Sequence, residues 1–348
     1  MSKTRWCAAA VTALITVGAL AALLVGSGTA APEATFKAAL VSDVGRFNDK
    51  GFNQLQLQGL QRAKRKLGIS IVTLESRSSS EYEPNMIAAV QRGSNIIIGA
   101  GFLLAPAIQK VASQFPNSRF AITDDFVSSQ AGDFKGANVH NIEGITYATQ
   151  ENSYLIGCMA ALVLKAQHKP VVLGVVGGIK IPPVDTFLAG YKAGMKKCVP
   201  SATLKSGYSQ SFTAPDTCKS VAQNEIQAGA QVVFAVAGPC GNGALQAAKE
   251  AGIWGIGVDK DQAYLGSYIL TSAVKRVDVG IYDTVLNAKN RKFRGGSNLV
   301  FNLKNNGVAL GKISPKLKKS IRTPVMRKVN ALRALIVKGK LKPPTVFK

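Results

Sequence analysis

Histidine is almost absent from this chain of 348 residues: only His140 and His168 occur, and neither follows a predicted strand in a catalytic context. Zinc-site spacing is also missing, because there is no CxxC pair. No Gly-x-Ser-x-Gly motif and no Ser/His/Asp or Cys/His arrangement can be read. These absences argue against an enzyme, and we expect no cofactor and no metal.

Acidic residues are also scarce, at 19 against 43 lysines and arginines, which gives a formal net charge of +24. Such a charge is typical of proteins that meet nucleic acid or an anionic surface. Much of it lies between residues 289 and 348, where apolar residues recur at helical spacing, so we interpret it as the solvated face of an amphipathic helix. No aromatic residue lies between Lys316 and Arg333 to stack on bases. We therefore expect general attraction to wall or membrane anions and no specific nucleic-acid partner.

The N-terminus has the pattern of an export signal. Lys3 and Arg5 precede an uncharged apolar run over residues 8–25, and small residues follow at 28–30. We interpret residues 1–30 as a cleaved signal peptide, with an uncleaved membrane anchor as the alternative. Either interpretation predicts an exported protein, in the periplasm or on the outer face of the cell membrane.

Four cysteines remain after such processing: Cys158, Cys198, Cys218 and Cys240. An even number outside the cytoplasm favours disulfide bonds, and four cysteines allow three connectivities. The spacing alone leaves all three open.

Short apolar strands alternate with amphipathic helices along the rest of the chain, in two successive runs. We predict strands at 36–41, 69–74, 96–98 and 120–123, with a helix at 82–91 among them. An irregular break at 132–144 precedes strands at 171–176, 204–208, 232–236 and 254–258. A late strand at 299–303 and a final helix at 315–338 follow. Such alternation predicts an α/β protein with parallel sheets, and the length predicts two lobes.

Polar and aromatic residues concentrate in the loops that follow the predicted strands, where open parallel sheets bind their ligands. These loops cover residues 42–53, 124–125, 177–178, 238–243 and 259–262, together with Phe212. This concentration predicts a binding cleft.

Individual residues in these loops suggest roles. Asn48 or Asp49 could cap the next helix, which leaves Asp43 and the aromatic side chains of this polar loop unexplained. Of Asp124 and Asp125, we expect one to be a solvated loop carboxylate and Asp124 to accept hydrogen bonds from a ligand. Asp259 and Lys275 could hold sugar hydroxyls or form a salt bridge between lobes, and both alternatives stay open.

At these same segments the chain resembles the basic membrane protein family, the substrate-binding components of ABC importers that include the purine nucleoside receptor of spirochaetes. The resemblance covers nearly all of the mature chain, and it is strongest at residues 43–54, 150–157, 237–243, 257–262 and 270–276. It implies a type I periplasmic-binding fold, with two doubly wound parallel-sheet lobes joined by crossover strands. We place the N-terminal lobe at 36–145 plus about 273–310, and the C-terminal lobe at 146–272 plus about 311–340.

The resemblance also assigns the ligand residues. A base would lie between Phe52 and Phe212, Asp124 would read its edge with Asp43 and Asn53 nearby, and the ribose contacts fall on Gly238, Asp259 and Lys275. The implied function is an extracytoplasmic binding protein, monomeric, which closes on a purine nucleoside and presents it to an ABC permease. Alternatives are another aromatic ligand such as riboflavin, or a sensor coupled to a signalling receptor.

The chain departs from the family at its cysteines. It lacks the lipid-accepting cysteine of many relatives, because Cys7 precedes the apolar run. Cys218 and Cys240 are additions beside two predicted ligand loops, and we predict that they pair.

Overall fold

The computed structural model describes residues 35–348 of the chain, and these residues fold as one unit. The predicted signal peptide at 1–30 lies outside the described residues. No helix within 35–348 combines the length and the apolar character needed to cross a membrane.

The first lobe is a parallel sheet with its helices. Its elements are β1 (Lys37–Ser42), α1 (Phe52–Leu67), β2 (Ser70–Leu74), α2 (Tyr82–Gln91), β3 (Ile96–Ala100), α3 (Ala105–Gln114), β4 (Phe120–Thr123), β5 (Ile142–Tyr147), α8 (Val277–Lys289) and β11 (Asn298–Phe301). The six strands lie in the order β2-β1-β3-β4-β5-β11. Continuous apolar runs form the central strands, as expected for strands buried on both faces.

The second lobe repeats this arrangement. Its elements are α4 (Thr149–Ala166), β6 (Val172–Gly177), α5 (Pro182–Cys198), β7 (Thr203–Tyr208), α6 (Pro215–Gln227), β8 (Val232–Val236), α7 (Gly241–Glu250), β9 (Trp254–Asp259), β10 (Ile269–Lys275), β12 (Val308–Leu310) and α9 (Lys319–Val337). The strand order is β7-β6-β8-β9-β10-β12, with only β12 antiparallel to its neighbour.

The described chain crosses between the lobes three times: after Tyr147, after Lys275, and between Phe301 and Val308. The segment 150–157 ties these crossings together. Glu151 accepts a hydrogen bond from the backbone N–H of Leu303 (2.8 Å). The Asn152 side chain donates to the carbonyls of Val274 (2.9 Å) and Ala309 (3.1 Å). This motif therefore has a structural role at the hinge.

Three expectations about the elements need correction. Strand β5 begins at Ile142, inside the stretch predicted to be irregular, and it carries the buried Glu143. Strand β10 is not among the predicted strands. Both β10, which ends at Lys275, and β12 pair in the second sheet, so the returning segment of the first lobe is shorter at both ends than the predicted 273–310.

Candidate functional site

A cleft with about 630 Å³ of empty space, part of it open to solvent, lies between the lobes at the carboxyl ends of the strands. All eight residues assigned to the ligand line it: Asp43, Phe52, Asn53, Asp124, Phe212, Gly238, Asp259 and Lys275. The rule that open parallel sheets bind ligands beyond their strand ends explains why loops from distant parts of the sequence meet here.

The two aromatic side chains assigned to the base reach the cavity from opposite lobes: Phe52 at the start of α1 and Phe212 after β7. Each ring packs on a glycine. A Cβ at Gly101 would lie 3.2 Å from Cε1 of Phe52, and one at Gly178 would lie 2.5 Å from Cδ1 of Phe212. Gly101 also has a φ of +127°, which strains any other residue. A larger residue at either position would therefore displace a ring.

The N-terminus of α1 is organised by Asp49, which decides between the two cap candidates. Its carboxylate accepts hydrogen bonds from the backbone N–H groups of Gly51 (2.8 Å), Asn53 (2.8 Å) and Gln54 (3.0 Å). The Asn53 amide in turn donates to Oδ1 of Asp43 (2.7 Å). The carbonyl oxygen Oδ1 of Asn53 is buried and has no protein partner among the described residues, so it can accept a hydrogen bond from a ligand.

Two carboxyl groups of the cavity have strongly raised pKa values. Burial raises the pKa of Asp43 to about 6, although hydrogen bonds from Gly45 and Asn53 oppose the shift. Burial likewise raises the pKa of Asp259 to about 7, with the Lys275 ammonium acting in the opposite direction. Ligand O–H and N–H donors would favour the ionised form of both groups.

The backbone presents two of the acids in an unusual conformation. Asp124 (φ +69°) and Asp259 (φ +63°) lie in the left-handed region, at the ends of β4 and β9 respectively. This region costs free energy for a residue other than glycine and is concentrated at functional sites. Here it turns the chain sharply at the end of each of these two strands, at the wall of the cavity.

Lys275 joins the lobes at the floor of the cavity. Its ammonium forms an ion pair with Asp124 of the first lobe, and the lysine side chain is 3% exposed. Ring centroids of Phe52, Tyr147 and Phe187 lie 4.9, 5.3 and 5.6 Å from the ammonium nitrogen. Of the two roles left open for Lys275, the structure therefore contains the salt bridge between lobes, with Asp124 as the partner rather than Asp259.

Sequence reasoning missed Tyr147 and Phe187 beside the Lys275 ammonium. It also missed three apolar residues that line the cavity, Phe102, Leu103 and Val184. Phe102 and Leu103 directly follow β3, whose loop was not among the predicted ligand loops, whereas Val184 and Phe187 lie in the first two turns of α5. Including the loop after β3 would have found Phe102 and Leu103, and extending the strand-end rule into α5 would have found Val184 and Phe187. Within the described residues, no cluster of histidines, cysteines and acids is arranged to hold a metal ion.

The expectation that one of the paired acids is a solvated carboxylate is wrong. Asp125 is 6% exposed, its Oδ1 accepts from the backbone N–H of Phe126 (2.8 Å), and burial raises its pKa to about 7. The Asp124 side chain is only 10% exposed. Asp125 does not line the cavity, so Asp124 is the member of the pair that a ligand there can reach.

Two disulfide bonds stabilise the second lobe, Cys158–Cys198 and Cys218–Cys240. The second connects α6 to the loop after β8, where Gly238 lies. The backbone N–H of Cys240 also donates to the carbonyl of Phe212 (2.9 Å). This cross-link therefore supports both the aromatic ring and the glycine loop of the second lobe.

Comparison with known proteins is consistent across sequence and structure. Residues 36–345 match the Bmp family, described as ABC transporter substrate-binding protein, PnrA-like. The chain is 33% identical to the ABC transporter nucleoside-binding protein BmpA of Lactococcus lactis, covering 89% of this chain and 92% of the relative. It is 31% identical to the CD4+ T-cell-stimulating antigen of Listeria monocytogenes, covering 89% and 88%.

The structural comparison supports the same class of protein. A solute-binding protein of an ABC transporter system from Aeropyrum pernix superposes with a TM-score of 0.78 at 26% identity, covering 90% of this chain and 94% of that one. The chain has the two-lobed fold of periplasmic solute-binding proteins, and it belongs to the Bmp family of ABC transporter substrate-binding proteins.

Proposed function

We propose that this substrate-binding protein captures a purine nucleoside outside the cytoplasm and delivers it to its permease as a monomer. The observation that carries the proposal is the pair of rings, Phe52 and Phe212, which line one cavity from opposite lobes beside Asp124. A flat heterocycle between two rings gains stacking energy on both faces, of about 1–3 kcal/mol per contact. The name of the Lactococcus relative supports the same ligand class.

The polar groups of the cavity favour a neutral ligand rich in hydrogen-bond donors. Asp43, Asp49, Asp124 and Asp259 face one ammonium, that of Lys275, which is already paired with Asp124. A phosphate would meet uncompensated carboxylates, whereas ribose hydroxyls and base N–H groups would find acceptors. Nucleosides are therefore favoured over nucleotides.

Base recognition falls to Asp124 and sugar recognition to Gly238, Asp259 and Lys275. Because these residues come from both lobes, a bound nucleoside would hold the lobes together and create the surface that a permease recognises. The ligand is released unchanged, so no turnover is expected.

A thermal-shift and calorimetry panel of guanosine, inosine, adenosine, free bases, guanosine monophosphate and riboflavin tests this proposal. A nucleoside at a hundred times its Kd should stabilise the protein by about 2.7 kcal/mol. The monophosphate is the matched control, since it differs only by the disfavoured anion. Stabilisation by riboflavin alone, or by guanosine monophosphate as strongly as by guanosine, would show that the proposed ligand is wrong.

A further inference from the structure

The positive charge of the chain is concentrated in one acid-free segment. After Asp283 the remaining 65 residues contain 17 lysines and arginines and neither aspartate nor glutamate. All 19 acidic residues precede this segment, where they stand beside the other 26 lysines and arginines. Most of the excess charge therefore belongs to one end of the chain rather than to the whole molecule.

Helix α9 presents much of this charge to solvent. Its buried stripe of Val325, Val329, Leu332 and Ile336 packs on the second lobe, where α9 contacts α4. The opposite side and the segments that flank the helix form what we name the C-terminal basic face. Its residues are exposed: Lys316, Lys318, Lys319, Arg327, Lys328, Lys338, Lys340 and Lys342.

Nothing in the described part of the chain neutralises this face. Every salt bridge within residues 35–348 uses a basic residue at or before Arg276, so none involves this face. Helix α9 spans nearly 30 Å at the usual rise of about 1.5 Å per residue, which is several Debye lengths at physiological ionic strength. A partner must therefore supply negative charge over an extended area rather than at one point.

Apolar side chains are exposed within the same region. Leu335 is 41% exposed and shares the outer side of α9 with Lys328 and Lys338, while Val346 is 66% exposed near the C-terminus. Cationic side chains interspersed with exposed aliphatic ones are typical of surfaces that lie in a lipid headgroup layer. Stacked bases are disfavoured as partners, because the one aromatic residue after Phe301 is Phe347, whose ring already lies 5.4 Å from the Lys192 ammonium.

We propose that the C-terminal basic face binds the surface of a membrane that contains anionic phospholipids. Each lysine or arginine close to such a surface contributes electrostatic attraction, and several together give reversible binding without a lipid anchor. This binding would confine the protein to the membrane that holds its permease. It uses no residue of the ligand cavity, so it stands or falls independently of the nucleoside proposal.

Vesicle flotation of residues 35–348 tests the proposal. This range folds as one unit, and it omits the apolar run at 8–25, which could bind membranes by itself. The probes are vesicles of phosphatidylcholine alone and with about 30 mol % phosphatidylglycerol, at low salt and at about 0.15 M salt. We expect binding only to the anionic vesicles, weakening as salt rises. Replacing Lys319, Arg327, Lys328, Lys338 and Lys340 by Gln should weaken the partition coefficient about tenfold or more.

The matched control removes the same charge from exposed positions of the first lobe: Lys64, Arg65, Lys66, Arg77 and Lys135 to Gln. Both variants should keep the wild-type unfolding midpoint and ligand binding. Equal losses in the two variants would show that net charge, not this face, is responsible. Binding to neutral vesicles, or tighter binding to a single-stranded oligonucleotide than to anionic vesicles, would overturn the proposal.

Discussion

The two lobes share one strand order but contribute opposite chemistry to the cavity. The first lobe supplies Asp43, Asp49, Asn53 and Asp124, whereas the second supplies mainly an apolar wall that includes Val184, Phe187, Val236 and Val258. Only Asp259 and Lys275 interrupt that wall with charge. Topology therefore determines where the cavity forms, while the loops of each lobe determine which chemical groups line it.

The lobes also differ in how they are stabilised. All four cysteines of the described chain form disulfides within the second lobe, and the described part of the first lobe has none. The first lobe therefore depends on its apolar core and on hydrogen bonds such as those of Asp49. We therefore expect substitutions in the two lobes to differ in their effects on stability and on ligand binding.

The largest expected effect is on the stability of the second lobe. Replacing both cysteine pairs by alanine opens cross-links with sequence separations of 40 and 22 residues, each worth about 3–4 kcal/mol by loop entropy. Hydrogen exchange in urea should show β6–β10 losing protection before β1–β5 does. Equal loss of protection in the two lobes would contradict the claim that only the second lobe depends on its disulfide bonds.

Breaking the ion pair between lobes should have the next largest effect. Asp124→Ala leaves the Lys275 ammonium buried without its carboxylate, at a cost of about 3–5 kcal/mol in the free energy of unfolding, and we expect nucleoside binding to be lost. The double variant Asp124→Leu/Lys275→Met should recover most of the stability but none of the binding. If binding returns with stability, Asp124 has no direct role in recognition.

Stability without ligand should depend on pH through the buried carboxyls. The folded-state pKa values of Asp43 (about 6) and Asp259 (about 7) lie above the value of about 4 for an unfolded aspartate, so between these values the folded state binds more protons. The free energy of unfolding should therefore fall as pH rises from about 4 to 7. Asp259→Asn should flatten this fall by up to about 3 kcal/mol in denaturation curves; an unchanged slope would contradict the burial of a charge there.

The smallest effects should come from the two rings. Phe52→Ala and Phe212→Ala should each weaken nucleoside affinity by about 1–3 kcal/mol, measured by calorimetry. Phe52 should be the more costly, because its ring also contacts the Lys275 ammonium. Phe126→Ala, at a 55% exposed position of the first lobe, is the matched control and should leave affinity unchanged. Loss of affinity from only one ring would argue against a ligand held between both.

Much of the fold could be predicted because apolar runs bounded by turns determine most strands: β4, β8 and α2 have the predicted bounds. Strand β5 could not be predicted, since the buried Glu143 interrupts its apolar pattern. The loops that line the cavity could be predicted from the rule that parallel sheets bind ligands beyond their strand ends. The environment of Lys275 could not be predicted, because Tyr147 and Phe187 come together only through the path of the chain crossings. The burial of Asp125 could not be predicted either, because two adjacent acids in a loop have the pattern of solvated carboxylates.

The position of Lys275 at a chain crossing has a mechanical consequence. Tyr147, on another crossing, stacks on Phe301 of the third, with ring centroids 5.2 Å apart, so the three connections share one cluster of side chains. A ligand that contacts Lys275 would therefore act at the crossings between the lobes, where a small displacement would move the distant end of each lobe further. Binding there would change the angle between the lobes without any relay through the rest of the protein.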